Sequence, residues 1–270
     1  MSNDTSAFGI DFYSGNKKTL LSCIREGVKQ PFSFVVTPNV DHLVQLEHDE
    51  ALRDAYAKAR WRLCDSRILL SLLSRLGVHL DEAIPGSDLT LDLLNWANEA
   101  HLRVVLIGSL ESEADKLRAL YPGIDLYHYN PPMGFIKKPE EVQRCLQFVR
   151  ENPSELVLYA VGTPRGEILA AATQSHERTG MGFSIGASIS FATGTIKRAP
   201  KWMREYKLEW LHRMCMEPRR LAKRYWIDAL YIVPAFLRGE ERQAETQSGQ
   251  AGILIGQSDR HPNMPNTAVQ

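Results

Sequence analysis

The stretch FVVTPNVDHLVQLEHD, residues 34–49, decides how the rest of the chain is read. Phe34 to Thr37 are β-formers, Pro38 cannot donate a ladder hydrogen bond, and Asn39 is a residue that turns or caps. Val40, Leu43, Val44 and Leu46 then recur at helical spacing. A strand running straight into a helix opens a βαβ unit. In an open α/β sheet that junction lies at the carboxyl edge, where ligands bind.

The same arrangement repeats outward. Phe34–Thr37, Trp61–Cys64, Arg103–Ile107, Leu156–Val161 and Gly182–Ile185 each read as a strand, followed by Gly, Ser, Thr, Asn or Asp and then a helical pattern. This alternation predicts an α/β fold: a Rossmann-like, mainly parallel sheet flanked by helices. Between the first two strands the spacing predicts one helix of about five turns over residues 40–59. After the third strand, GSLESEADKLRAL at 108–120 places Asp115 three residues past Ser112, an approximate capping box, and points a helix N-terminus at the same edge.

Length and composition bound the alternatives. With 270 residues, 44% of them hydrophobic, the chain can bury a core of one large or two small domains. Its 32 Lys/Arg balance 32 Asp/Glu, so no overall bias points to nucleic acid. Cys23, Cys64, Cys145 and Cys215 have neither metal-ligand spacing nor the density of a disulfide scaffold, which points to a reducing cytosol. MSNDTSAFGI lacks the features of a signal peptide, and YWIDALYIVPAFL, interrupted by Asp228 and Pro234, is too short to span a bilayer. The predicted organisation is an α/β core over 1–195, a basic helical appendage over 196–238, and a polar tail over 239–270 that reads as disordered.

Several positions carry chemistry. Asp65 stands between a strand and a helix, and is either an N-cap or a catalytic base. Thr37 and Asn39 have the same two readings, turn and cap or pocket wall. In AVGTPRGE, residues 160–167, Pro164 suits a first helical turn, Gly162 and Thr163 permit close approach of a ligand, and Arg165 either reaches a phosphate or is solvated. In IPGSDL, residues 84–89, Ser87 or Asp88 caps the next helix or lines the pocket. GMGFSIGAS at 180–188 does not form the dinucleotide fingerprint, and neither a Walker-type loop nor an Asp-x-Asp pair occurs. No metal or cofactor is therefore expected, and a diphosphate would be met by Arg, Lys or helix N-termini. Between Lys197 and Arg224 ten Lys/Arg face three Glu, interleaved with Trp202 and Trp210. Such a segment suits an anionic membrane surface, closes over a diphosphate, or forms a solvated helix face.

TPNVDHLV, CDS, IPGSDL, GTPRGE, FATGTIKRAP, KLEWLHRM and EPRR, in that order over residues 10–235, resemble the WecG/TagA/CpsF family, glycosyltransferase family 26. The resemblance extends to exopolysaccharide transferases of the xanthan type. It implies a bacterial, metal-independent, inverting enzyme that moves a sugar from a UDP-sugar to a polyprenyl-diphosphate-linked saccharide, peripheral on the cytoplasmic membrane face. Asp65 would be the general base, with Thr37 and Asn39 lining the pocket. Ser87, Asp88, Gly108, Gly162, Arg165 and Glu167 would join them at the substrate, and Arg198, Arg219 and Arg220 would meet a diphosphate. Self-association into a homo-oligomer fits an open site. Ser66, Gly166 and Ser190 depart from the family's usual Gly, Gln and Asp. Those departures motivate the alternative of a non-catalytic nucleotide-sugar-binding or scaffold protein in a polysaccharide assembly complex.

Overall fold

The computed structural model describes residues 5–175, 178–196 and 200, with single positions at 203, 211, 226, 230 and 234. The expected appendage and tail, with Arg198, Arg219 and Arg220, otherwise lie outside the described residues.

A small antiparallel hairpin comes first, β1 (Ser6–Ala7) and β2 (Ile10–Asp11). Phe8 and Gly9 both have positive φ, 54° and 71°, as the tight turn between twisted strands requires. The chain continues as α1 (Lys17–Gly27), β3 (Ser33–Val36), α2 (Val40–His48), α3 (Glu50–Lys58), β4 (Trp61–Arg62), α4 (Arg67–Arg75) and α5 (Gly86–Glu99). Then follow β5 (Arg103–Gly108), α6 (Glu111–Leu120), β6 (Asp125–Tyr129), α7 (Pro139–Glu151), β7 (Leu156–Ala160), α8 (Arg165–Gln174), β8 (Met181–Ser184) and α9 (Ser188–Ala192). Six strands form one parallel sheet in the order β4-β3-β8-β7-β5-β6.

Both faces of this sheet are covered, so its central strands are apolar at nearly every position. Phe34, Val36, Val105 and Val157 point to the layer of α2, α3, α4, α7 and α8, packing on Leu43, Leu52, Leu69, Cys145 and Leu169. Their alternating neighbours Val35, Val104, Leu158 and Phe183 meet Leu20 and Ile24 of α1, Leu93 of α5, Leu117 of α6 and Ile189 of α9. Strands β5 and β7 are neighbours, yet the helices that follow them, α6 and α8, lie on opposite faces. Such a reversal opens a crevice at the carboxyl edge.

The α/β fold with a parallel sheet is as expected from the alternation. Three details differ. Residues 40–59 form two helices, because Asp49 (φ −116°, ψ 103°) ends α2 and caps α3 by accepting from Leu52 N–H at 3.0 Å. Arg53 satisfies the carbonyls released at the break, donating to Leu46 and Glu47 at 2.7 and 3.1 Å. Helix α6 starts at Glu111, ahead of Ser112, and Glu113 accepts from the Leu110 N–H at 3.2 Å. Strand β6, DLYHY, is an addition to the five expected strands: it is a half-buried edge strand without an apolar run. Cys64 and Cys145 are buried free thiols, each pushed up to about 12 chiefly by desolvation, which makes them inert.

Candidate active site

The carboxyl ends of β3, β4 and β8 gather the first group of polar residues. Thr37 directly follows β3, half-buried, and its hydroxyl points to the Ser184 carbonyl at 3.4 Å, a long hydrogen bond. Asn39 caps α2, its side-chain oxygen accepting from His42 N–H at 3.2 Å, so the capping reading holds for this residue. Asp65 does not cap the helix that follows it. Ser66 does, accepting from Leu69 N–H at 3.1 Å.

Instead, Asp65 turns toward a different helix. Its N–H donates to the Pro38 carbonyl at 3.1 Å, which ties it to the Thr37–Asn39 turn. Its Oδ1 accepts from the Gly86 N–H at 2.6 Å, the first residue of α5. Neither Ser87 nor Asp88 is the cap of α5. Both sit inside its first turn, behind Pro85 at the cap position. Gly86 also lies against Thr37: a Cβ there would stand 3.0 Å from Thr37 Oγ1. Thr37, Asp65 and the start of α5 therefore form one cluster, with Thr37 and Asp65 half-buried.

The second group stands on the β5 and β7 ends. Gly108 has φ +94°, and a Cβ there would meet the Ala160 backbone at 2.8 Å, so close strand packing accounts for this glycine. The His128 ring holds the turn, bridging the Gly108 carbonyl at 2.9 Å and the Glu111 carboxylate at 3.0 Å. Hydrogen bonds from Arg118 and then His128 hold Glu111 below the usual carboxylate range. Gly162 (φ +73°) begins the next turn, Pro164 stands at the cap position of α8, one residue ahead of the first helical turn expected for it, and Arg165 opens the helix. Arg165 reaches Met133 Sδ at 4.0 Å, and no carboxylate lies within ion-pair distance of it among the described residues.

Glu167 is buried, 2% exposed. Its Oε1 accepts from the Thr163 hydroxyl at 3.0 Å, while its Oε2 is buried with no hydrogen-bond partner among the described residues. Desolvation pushes its carboxyl up to about 7, against the smaller pulls of its hydrogen bonds and of Arg165. It does not line an open surface. Thr163 in turn meets His42 Nε2 at 2.6 Å, and His42 Nδ1 meets the Tyr56 hydroxyl at 2.7 Å. His42 and Tyr56 were not singled out in the sequence. The available signal was a polar residue on the otherwise apolar face formed by Leu43, Val44 and Leu46. No cluster of His, Cys, Asp and Glu spaced to hold a metal occurs among the described residues.

Fold and site together define a doubly wound α/β protein with carboxylates, hydroxyls and a cation along the carboxyl edge of the sheet. Residues 5–246 match the profile of the Glycosyl transferase WecG/TagA/CpsF family, and the chain belongs to that family. It is a glycosyltransferase. It is 24% identical over 240 residues to an N-acetylglucosaminyldiphosphoundecaprenol N-acetyl-beta-D-mannosaminyltransferase of Staphylococcus aureus, covering 85% of this chain and 89% of the relative. Proteins of the same description from Bacillus subtilis and Bacillus spizizenii are 29% identical over 154 residues and 24% over 220. Those matches cover 55% and 79% of this chain, and 58% and 82% of the relatives.

Proposed function

We propose that the protein is an inverting transferase that moves a sugar from a UDP-sugar to a polyprenyl-diphosphate-linked saccharide, with Asp65 as general base. The pathway would be bacterial exopolysaccharide or cell-envelope polysaccharide biosynthesis. The observation that carries this reading is the Asp65 carboxylate, oriented by the Gly86 N–H at 2.6 Å and set beside Thr37 at the mouth of the sheet. The relatives' printed names, which give a diphosphoundecaprenol-linked acceptor, support the acceptor class.

The geometry around Asp65 supports the following chemistry. Asp65 takes the proton of the acceptor hydroxyl as its oxygen attacks the anomeric carbon, and the bond from that carbon to the UDP oxygen breaks on the opposite face. One displacement inverts the configuration. The departing diphosphate needs positive charge. Arg165 would supply it within the described core, and Arg198, Arg219 and Arg220 would add to it from outside. Thr37 and Gly162 shape the cleft, Ser87 and Asp88 lie on the first turn of α5, and Gly108 closes the far end. On this reading the protein works peripherally on the cytoplasmic face of the membrane. No helix among the described residues is long and apolar enough to cross it.

The test is a transfer assay with purified protein, a panel of UDP-sugars, and a short polyprenyl-diphosphate-linked saccharide. One donor should give a lipid-linked product, and Asp65→Asn should lower kcat by about 10²–10⁴-fold with UDP affinity retained. Transfer undiminished in Asp65→Asn removes Asp65 from the base role. No product from any donor removes the reading itself.

A further inference from the structure

A buried chain of side chains joins the two groups of site residues. Thr163 spends its hydroxyl hydrogen on Glu167 Oε1, so the 2.6 Å contact to His42 needs Nε2 as the donor. A neutral ring protonated at Nε2 accepts at Nδ1, and the Tyr56 hydroxyl supplies that hydrogen at 2.7 Å. With that neutral ring, the series Tyr56 to His42 to Thr163 to Glu167 donates in one direction throughout. It spans α3, α2, the turn after β7, and α8.

These are the elements that carry the walls of the cleft. His42 lies in the first turn of α2, whose cap is Asn39 and whose preceding turn holds Thr37. Thr163 lies between Gly162 and Arg165. We propose that His42 and Thr163 are positioning residues, clamping the Thr37–Asn39 wall to the Gly162–Arg165 wall at the spacing the sugar donor requires. The inference rests on the transferase reading above for its activity readout.

Burial argues for more than filling. His42 is 8% exposed and Glu167 2%, and an apolar set of similar shape would pack there without the cost of desolvating a carboxyl. Hydrogen bonds fix direction and separation where apolar contacts slide. Glu167 also leaves Oε2 without a partner among the described residues, so stability alone does not explain the arrangement.

The experiment compares Thr163→Val, Thr163→Ser and His42→Phe, with the double Thr163→Val/His42→Phe, in the full chain. It measures kcat, KM for the donor, UDP affinity and melting temperature. Thr163→Val should lower kcat/KM about tenfold or more, mainly through donor KM, because a small misplacement of a wall costs that much. Thr163→Ser should recover most of the loss. The double variant should be little worse than the poorer single, since the residues act as one unit. Should His42→Phe fail to fold, the valine and serine pair decides. Equal kcat/KM in Thr163→Val and wild type, or no recovery in Thr163→Ser, overturns the clamp while leaving the transferase reading intact. If wild type transfers no sugar, that reading fails and UDP affinity decides: weakening by about tenfold in Thr163→Val with recovery in Thr163→Ser supports the clamp, and equal affinity in all three overturns it.

Discussion

Glu167 shows how a single side chain sets a pH dependence. Its carboxyl rises from the ordinary value near 4.5 to about 7, because burial penalises the charged form more than the Thr163 hydrogen bond and Arg165 favour it. His42 and Tyr56, from α2 and α3, face it through Thr163. Between those two values the folded protein holds a proton that the unfolded chain has released. The resulting stability is fully present below about pH 4.5 and is lost as pH rises through about 7, an effect on the order of a few kcal/mol. Glu167→Gln stays neutral throughout. Its stability relative to wild type should therefore increase from pH 5 to pH 8, measured by chemical denaturation at each pH. A constant difference across that range would mean that the carboxyl is not protonated in the folded state at low pH.

Elements explain why part of the site was legible in the sequence and part was not. The strands β3, β5, β7 and β8 announce themselves, because a sheet covered on both faces makes continuous apolar runs. Thr37 and Asp65 stand out as polar residues at the ends of such runs. Strand β6 gives no such signal at its half-buried edge. The His42 and Tyr56 pair is hidden for a different reason. In one straight helix, residues 14 apart would lie about 21 Å from each other, and only the break at Asp49 folds α3 back so that Tyr56 meets His42. An Asp at the seam reads from sequence as an ordinary exposed helix residue. Asp49→Ala should therefore cost about 1 kcal/mol as a lost cap, seen in the denaturation midpoint, and should also raise donor KM by loosening the clamp. Gly86 makes a parallel point at the start of α5. Its φ is unremarkable, but a Cβ there would stand 3.0 Å from Thr37 Oγ1 and 3.2 Å from Cγ2, so Gly86→Ala must displace Thr37. The expected outcome is a loss of transfer larger than the loss of stability, read from kcat/KM and melting temperature on the same preparation.

Across the whole molecule the charge is balanced, 32 against 32, but unevenly placed. Residues 197–224 hold ten Lys/Arg and three Glu, leaving 22 basic against 29 acidic residues elsewhere. A chain so divided is attracted to an anionic surface through one segment and repelled through the remainder, which orients it as well as binding it. The described core places Ile68, Leu110 and Met133, exposed at 41%, 61% and 89%, in the first turn of α4 and on the loops that follow β5 and β6. These apolar side chains share the carboxyl edge with the candidate site, so on the transferase reading the edge proposed for a lipid-linked acceptor also carries side chains that a bilayer would meet. Each cation near an anionic surface contributes on the order of 1 kcal/mol. Changing Lys223 and Arg224 to Gln should therefore lower partitioning onto phosphatidylglycerol vesicles about thirtyfold in a sedimentation assay. Raising salt from 0.1 to 1 M, which shortens the Debye length from about 10 to 3 Å, should weaken the wild type in the same sense. Sedimentation that ignores both the substitutions and the salt would leave hydrophobic contact alone to hold the protein at the membrane, and the basic segment would then belong to the diphosphate instead.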